Sequence, residues 1–409
     1  MNKAASEVAA GLLLEKGYEL CDDDFFDAVV INTCTVKTPT ENKIIKRLDR
    51  LACEDKKAVV AGCLPGTCPG LVERFPSFSF VGTNVLDIPA ALDAALKGRR
   101  LVKIDSCGCE PGHYRKRENP EIGVIPISQG CLGRCSYCIV KKARGELKSF
   151  PAECIVKDAR TAISEGVREI WLTSQDCGAY GLDCGTNLPK LLRQVSGIEG
   201  GYMIRVGMMN PNHVLSFLHE LIEAYKDPRV YKFLHVPVQS GDDKVLGDMN
   251  RFYRVADFKK IVEEFRREVP EITISTDIIA GFPTEDDEAF QNSLDLLEEI
   301  RPDVLNISRF WVRPGTVAEK MKQLHGRVTN QRSRRVAELF GRIAQGNNKK
   351  WVGWEGTVLV SEKGKRGDFC ARNYAYKPVI LKGKEDIMGR FLKVRITDAT
   401  RNDLRGVIV

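Results

Sequence analysis

The ten residues from Gln129 to Cys138, QGCLGRCSYC, constrain this 409-residue chain more than any other stretch. Cys131, Cys135 and Cys138 are spaced C-x3-C-x2-C, directly after the strand-like run IGVIPIS. One loop therefore supplies three thiolates that can wrap the corner of a four-iron cube, and three ligands for four irons leave one iron open to a small molecule. The alternative is a structural zinc site. Zinc takes a fourth ligand close by, and no other Cys or His lies within a few residues. A cluster with an open iron points to catalysis.

The cysteine loop opens a long alternation of strands and helices. From Ile122 to about Phe310 there are six strand candidates, IGVIPIS, REIWLTS, YMIRVGMM, YKFLHVPVQ, ITISTDII and VLNISRFW, with amphipathic stretches between them. Six βα units predict a partial barrel or a doubly wound sheet. One intervening helix, EDDEAFQNSLDLLEEI, is expected to be capped by Thr284, with Asp287 at its third position and Pro302 as its stop. Upstream, DAVVINTCT (27–35), a helix from Glu41 and KKAVVAGC ending at Cys63 form a strand, helix, strand unit. Such a unit makes a parallel pair whose carboxyl ends lie side by side, which brings Cys34 and Cys63 together. A helix from about Arg332 to Ala344 leads into WEGTVLV, DFCARNYA, KPVIL, GRFLKVRITDA and LRGVIV, the pattern of a small five-stranded barrel. The expected fold is α/β with these divisions: a small parallel domain at 1–106, a linker at 107–120, a (β/α)6 core at 121–345 and the barrel at 346–409.

Composition excludes some classes. Apolar residues make up 43% and charged residues 29%, ordinary for a soluble globular chain, and no apolar run reaches the roughly 18 residues of a membrane span. The N-terminus reads as an amphipathic helix and carries no export signal. Fourteen cysteines without such a signal indicate a reducing compartment, where clustered thiols hold metal more often than they form disulfides. The net charge of +7 is local: residues 346–409 hold 14 basic and 7 acidic side chains, while the rest balance at 48 against 48. In that tail Lys363, Lys365, Arg366, Arg372 and Lys377 lie near Phe369, Tyr374 and Tyr376. Cations for phosphates and rings for unpaired bases suit single-stranded RNA, although the rings could equally fill the barrel's own core.

The C-x3-C-x-aromatic-C loop after a first strand resembles the radical S-adenosylmethionine (SAM) enzymes, and within them the methylthiotransferase family. VINTCTV, VVAGCLP, ARGELKSFP, LTSQDCGAYGLD, HVPVQSGDDKVLGDMNR, TDIIAGFPTEDDEAF and RPGT follow in the family's order. The end from about Asn348 resembles the TRAM domain, an RNA-binding barrel. The resemblance implies two 4Fe-4S clusters: one on Cys131, Cys135 and Cys138 that binds SAM and yields a 5′-deoxyadenosyl radical, and an auxiliary one for sulfur that uses Cys34 and Cys63. It further implies that Tyr137 packs near the adenine of SAM, and that Gln175, Asp176, Arg205, Gln239 and Asp277, at or near strand ends, orient SAM. For each of these a core aromatic or a satisfied buried polar group is the alternative.

The family's first auxiliary ligand precedes a Met-Asn pair, which here is Met1 and Asn2. A cysteine just upstream of the stated start is therefore expected. Cys21, Cys53, Cys68, Cys107, Cys109, Cys154, Cys177, Cys184 and Cys370 match no ligand position and are expected to be packing or surface thiols. Leu132, ARGELKSFP and SQDCGAYGLD are most similar to the archaeal and eukaryotic branch that acts on threonylcarbamoyladenosine beside the tRNA anticodon. Sister branches act on isopentenyladenosine or on a ribosomal-protein aspartate, and a non-catalytic iron-sulfur RNA-binding protein is the alternative of another class. An archaeal, cytoplasmic enzyme working with an electron donor, a sulfur source and the anticodon stem-loop, and with no membrane, is the expectation.

Overall fold

The computed structural model describes all residues except 1, 22–24, 36–37, 69, 105–110, 365–366 and 384–385. Helix α1 (Asn2–Glu15) precedes β1 (Ala28–Thr33), α2 (Thr38–Cys53), β2 (Lys57–Gly62), α3 (Cys63–Thr67), β3 (Ser79–Val81), α4 (Ile88–Leu96) and β4 (Val102–Lys103). The four strands lie in the order β1-β2-β3-β4, all parallel. The β1-β2 pair is the one its sequence predicts; β3 and β4 extend it. On the far side of β1 and β2, α1 and α4 bury Val8, Leu13, Ile88 and Leu92 against the sheet.

The central region carries β5 (Ile122–Pro126), α5 (Val140–Arg144), α6 (Ala152–Ser164), β6 (Glu169–Thr173), α7 (Leu188–Ser196), β7 (Met203–Val206), α8 (Leu218–Tyr225), β8 (Phe233–His235), α9 (Val255–Glu268), β9 (Thr273–Ala280), α10 (Asp287–Ile300) and β10 (Val304–Arg309). These are the six expected strands. They pair in chain order, β5-β6-β7 and β8-β9-β10, all parallel, with a parallel bridge from Ile204 to Val230 across the joint. Sequential order makes a partial barrel; a doubly wound sheet would reverse direction at a switch point. The core continues through the helical layer, where Ile170, Ile204, Leu234 and Ile274 meet Phe258, Phe265 and Leu297.

The cap of α10 differs from expectation. Asp286, not Thr284, accepts from the backbone N–H of Ala289, at 2.8 Å. A carboxylate satisfies an orphan donor and also answers the positive end of the helix dipole, so it outcompetes a hydroxyl two residues earlier. The helix ends where Arg301 turns left-handed (φ 47°) ahead of Pro302.

Helix α11 (Gly326–Lys349) runs back along β10 on a stripe of Val336, Leu339 and Ile343. It leads to β11 (Glu355–Lys363), β12 (Phe369–Arg372), β13 (Pro378–Leu381), β14 (Phe391–Ala399) and β15 (Leu404–Ile408), the five expected strands, closed in the order β11-β12-β13-β15-β14. This barrel docks on the amino ends of the central strands. Asn373 Oδ1 accepts from the N–H of Ala375 (3.1 Å) and Lys377 (2.9 Å), folding the β12-β13 connection into a tight turn in which Tyr376 takes φ 59°. The turn pushes Tyr376 into the floor of the partial barrel. Its hydroxyl donates to Glu169 Oε1 at 2.9 Å, and its ring packs 4.7 Å from Tyr231 and 5.1 Å from Phe233.

This docking corrects three expectations. Lys377 is 3% exposed, its ammonium donating to Asp303 Oδ1 (2.8 Å) and Asn348 Oδ1 (3.1 Å), so no phosphate can reach it. Arg372 lies over the Tyr376 ring and donates to Glu362 Oε1 at 2.9 Å; it too is used inside the chain. Arg205, expected to orient SAM, instead places its guanidinium among Trp171, Phe233 and Tyr376, 5.1 to 5.4 Å from the ring centres, on the floor of the partial barrel. Lys365 and Arg366 lie outside the described residues. Lys363 is exposed and pairs with the equally exposed Asp386.

Candidate active site

The opposite end of the partial barrel, where the strands finish, carries the cysteine loop. Gly130 (φ 76°) turns the chain out of the strand, and a Cβ there would lie 1.8 Å from the Glu146 carbonyl oxygen, so only glycine fits. Gly133 donates its N–H to Cys131 Sγ at 3.2 Å, and a Cβ on it would fall 3.3 Å from that sulfur and 3.7 Å from Cys135 Sγ. The glycine keeps the space beside the two sulfurs clear.

Arg251 Nη1 donates to Cys135 Sγ at 3.1 Å, and the Val140 N–H to Cys138 Sγ at 3.5 Å. The segment before Arg251 grips the loop from below. Ser136 N donates to Met249 O (3.0 Å), Ser136 Oγ to Asp248 O (2.7 Å) and Asn250 Nδ2 to Arg134 O (2.6 Å). Each sulfur thus receives a fixed donor, the arrangement by which a protein holds and tunes an iron-sulfur cluster. Desolvation among the loop's own atoms raises the Cys138 and Cys131 thiols above their ordinary value, although Cys138 as a residue is exposed, so a bound metal has to displace their protons. Among the described residues no three or more His, Cys, Asp or Glu side chains are gathered closely enough to hold a single ion. A cavity of about 350 Å3 opens at the loop, bordered by all three cysteines, Gly133 and Thr316.

Beside it lies a second cavity of about 200 Å3 that brings together Tyr137, Cys138, Gln239 and Asp277 with Trp311 and Arg313. Gln239 takes the left-handed conformation (φ 70°), its N–H on Asp277 O and its carbonyl accepting from Ile279 N. Asp277 Oδ1 pairs with His235 Nε2 (3.0 Å) and accepts from Asn306 Nδ2 (2.7 Å). Tyr137 presents its ring edge-on to Phe282, and burial holds its hydroxyl in the neutral form. Gln175 has a buried Oε1 with no partner among the described residues, the mark of an acceptor kept for something else.

Asp176 is different. Its oxygens accept from Gly178 N (3.0 Å), Asn210 N (3.1 Å) and Asn210 Nδ2 (2.5 Å), with His213 Nε2 at 3.5 Å. The carboxylate is spent tying the loop after β6 to the loop after β7, so it positions strand ends. Two functional residues went unremarked in the sequence. Arg251 closes HVPVQSGDDKVLGDMNR and Arg313 opens RPGT, so the motifs were visible but not the contacts. Arg313 is 4% exposed; it donates to Glu41 Oε2 at 2.8 Å, while Nε and Nη2 are buried without partners among the described residues.

The small domain delivers the other two cysteines. Thr33 pairs with Gly62 across β1 and β2, so Cys34 and Cys63 follow side by side at the carboxyl edge. Burial raises the Cys63 thiol; the hydrogen-bonded Arg144 guanidinium opposes that rise, and nearby Cys34 adds to it. Arg144 also donates to Asn2 Oδ1 at 2.6 Å. It is the last residue of α5, the helix that starts two residues after Cys138, and α5 packs on α3, which starts with Cys63. The two cysteine sets therefore meet through two short helices. Of the remaining thiols, Cys177 is buried and pushed up to about 11 by its apolar surroundings; Cys21, Cys53 and Cys184 are exposed, and Cys68, Cys154 and Cys370 are half-buried. Cys107 and Cys109 lie outside the described residues.

Residues 125–297 match the Radical SAM superfamily, 349–409 the TRAM domain and 1–81 the uncharacterized protein family UPF0004. Proteins named probable threonylcarbamoyladenosine tRNA methylthiotransferase from Pyrococcus horikoshii and Pyrococcus abyssi are 43% and 44% identical, over 100% of this chain and 97% of each relative. The chain belongs to this radical SAM methylthiotransferase family. Its Xenopus laevis member, the threonylcarbamoyladenosine tRNA methylthiotransferase, is 39% identical over 99% of this chain and 74% of its own length. Among solved structures, the radical S-adenosylmethionine methyltransferase TsrM of Kitasatospora setae shares the fold at a TM-score of 0.57, with 18% identity over 77% of this chain and 73% of that one. Among the described residues no helix is long and apolar enough to cross a membrane.

Proposed function

We propose that this enzyme transfers a methylthio group to carbon 2 of N6-threonylcarbamoyladenosine beside the tRNA anticodon. The observation that carries this reading is the junction of α5 and α3, which sets Cys138 and Cys63 at the two ends of one helix pair with a cavity alongside. A 4Fe-4S cluster on Cys131, Cys135 and Cys138, with SAM on its open iron, supplies reductive carbon-sulfur cleavage and a 5′-deoxyadenosyl radical when bound. Cys34 and Cys63 are suited to a second cluster that handles sulfur.

The chain's own residues do the placing. Tyr137, Gln239 and Asp277 line the cavity next to Cys138, Gln175 offers an acceptor with no partner among the described residues, and Lys363, Lys365 and Arg366 remain as barrel contacts for the anticodon stem-loop. The small domain (1–106), core (121–345) and barrel (346–409) then hold sulfur, radical and RNA respectively. The reaction draws on an electron donor and a sulfur source, in the cytoplasm of an archaeal cell.

Nucleoside mass spectrometry of tRNA from cells with and without the gene tests the reading. Loss of the 2-methylthio form with accumulation of threonylcarbamoyladenosine is expected. An unchanged profile, or a loss confined to isopentenyladenosine or to a ribosomal-protein aspartate, overturns it.

A further inference from the structure

Helix α11 contains Arg327, Arg332, Arg334, Arg335, Arg342 and Lys349 against a single acidic residue, Glu338. Arg332 is spoken for: it is buried and donates to Glu285 Oε2 (2.8 Å) and Asp287 Oδ1 (2.7 Å), fixing the helix to the loop after β9. The others are exposed. Arg327, Arg334, Arg342 and Lys349 recur at seven, eight and seven residues, close to two turns each, and therefore share one face. Arg401, from the β14-β15 turn, brings its Nη1 to the same helix, 3.8 Å from where a Cβ on Gly341 would lie.

Among the described residues none of these five cations has an acidic partner within ion-pair distance. The exposed face of α9 is the contrast. There Lys259 meets Glu299 at 2.6 Å and Arg267 is held between Glu264 and Glu268. One helix surface is neutralised by its own charges and the other is left positive.

The placement of α11 gives that charge a direction. Its first turn packs Thr329 against Gly281 at the mouth of the partial barrel. Its last turn ties into the small barrel through Gln345 Nε2 on Ala399 O (3.0 Å) and Asn348 Nδ2 on Thr400 O (2.9 Å). A 24-residue helix spans about 36 Å. The small barrel closes the floor, far from the cysteine loop, so an RNA touching both ends has to pass along the side of the core. We infer that the outer face of α11, continued by Arg401, is a phosphate track that carries the tRNA backbone between the small barrel and the mouth of the active site. This rests on the reading that tRNA is the substrate.

The test replaces Arg334, Arg342 and Lys349 together by Gln in the full chain and measures binding of whole tRNA from 50 to 300 mM salt, about a sixfold range around physiological strength. The slope of log affinity against log salt is expected to flatten by about two to three units, with at least about tenfold weaker binding at low salt, since each lost phosphate contact removes about 0.7–0.9 of a unit. The exposed positions should leave the melting temperature where it was, and Arg334→Lys with Arg342→Lys should keep the wild-type slope. Wild-type slope and affinity in the Gln variant would overturn the track while leaving the function intact. A wild-type protein with no salt-dependent affinity for tRNA would overturn both. Unaltered tRNA binding together with lost binding to anionic phosphatidylglycerol vesicles would assign the stripe to a membrane surface instead.

Discussion

The two ends of the partial barrel are built from the same strands and do opposite things with charge. At the floor, Glu169 is wholly buried yet accepts from Trp171 Nε1 (2.5 Å), Tyr376 Oη (2.9 Å) and Tyr231 Oη (3.4 Å), and Lys377 is paired with Asp303. The Nε donors of Arg205 and Arg372, unmet among the described residues, belong to guanidinium groups lying on aromatic faces, which partly offset the loss; the neutral Thr273 Oγ1 and Asn373 Nδ2 are also unpartnered there, so the contrast is one of charged groups. At the mouth, Gln175 Oε1 and two nitrogens of Arg313 have neither hydrogen bond nor ring among the described residues, and three thiols stand in one loop. Buried polar groups without partners cost stability, and a fold bears that cost where a ligand later fills the gap. The floor is where charge holds domains together; the mouth is where it is kept for chemistry.

The largest expected effect lies at the mouth. Cys131→Ala, Cys135→Ala or Cys138→Ala should each abolish SAM cleavage, because two thiolates hold a cube poorly. Wild-type 5′-deoxyadenosine production by any one of them would remove the chemistry from this end. At the floor the corresponding change is Tyr376→Ala, which should cost about 3–5 kcal/mol of stability by leaving a cavity under Tyr231 and Phe233. Calorimetry should show a lowered melting temperature; an unchanged one would mean that the barrel is not docked as described. For the same reason, removing Asn348 to Val409 should do more than weaken RNA binding, since it uncovers Glu169, Arg205 and Phe233. A truncated protein as stable as the whole would break the contrast between the ends. Smaller again, Arg251→Met should weaken iron retention roughly 10–100-fold by removing the donor on Cys135 Sγ. Iron content after gel filtration reads that loss, and full retention would make Arg251 a packing residue.

Much of this contrast was legible in the sequence, but not the part that depends on neighbours. The six core strands and five barrel strands announce themselves through alternation with helices or turns, and the cysteine spacing is local. Ser79–Val81 and Val102–Lys103, at three and two residues, are too short to carry a periodic signal. Arg205, Arg372 and Lys377 were misassigned because a charge in a sequence does not say which distant group neutralises it. The partners of Arg205 and Lys377, Tyr376 and Asp303, lie 171 and 74 positions away across a domain junction, while Arg372 meets Glu362 from the neighbouring strand of its own barrel. Asp176 shows the same limit on a smaller scale, since only the fold reveals that Asn210 consumes it.

The smallest expected effect concerns a buried charge at neither end. Glu7 lies on α1 and is 3% exposed, and among the described residues neither side-chain oxygen has a partner at full hydrogen-bond geometry. Burial raises its carboxyl above the ordinary 4.5, and Lys3, the nearby Glu118 backbone N–H, Arg115 and Arg117 pull back against that rise. The native state therefore holds the proton at pH values where the unfolded chain has released it. Above 4.5 it binds more protons than the unfolded state, so stability falls as pH rises through that interval and is highest on its acid side. Glu7→Gln keeps the shape and removes the titration. The variant should melt higher than wild type at pH 7, and the gap should shrink as pH drops toward 4.5. Melting curves of the two proteins at half-unit steps measure this directly. A constant gap, or a variant less stable at pH 7, would mean that Glu7 is held by a partner after all and carries no cost of burial.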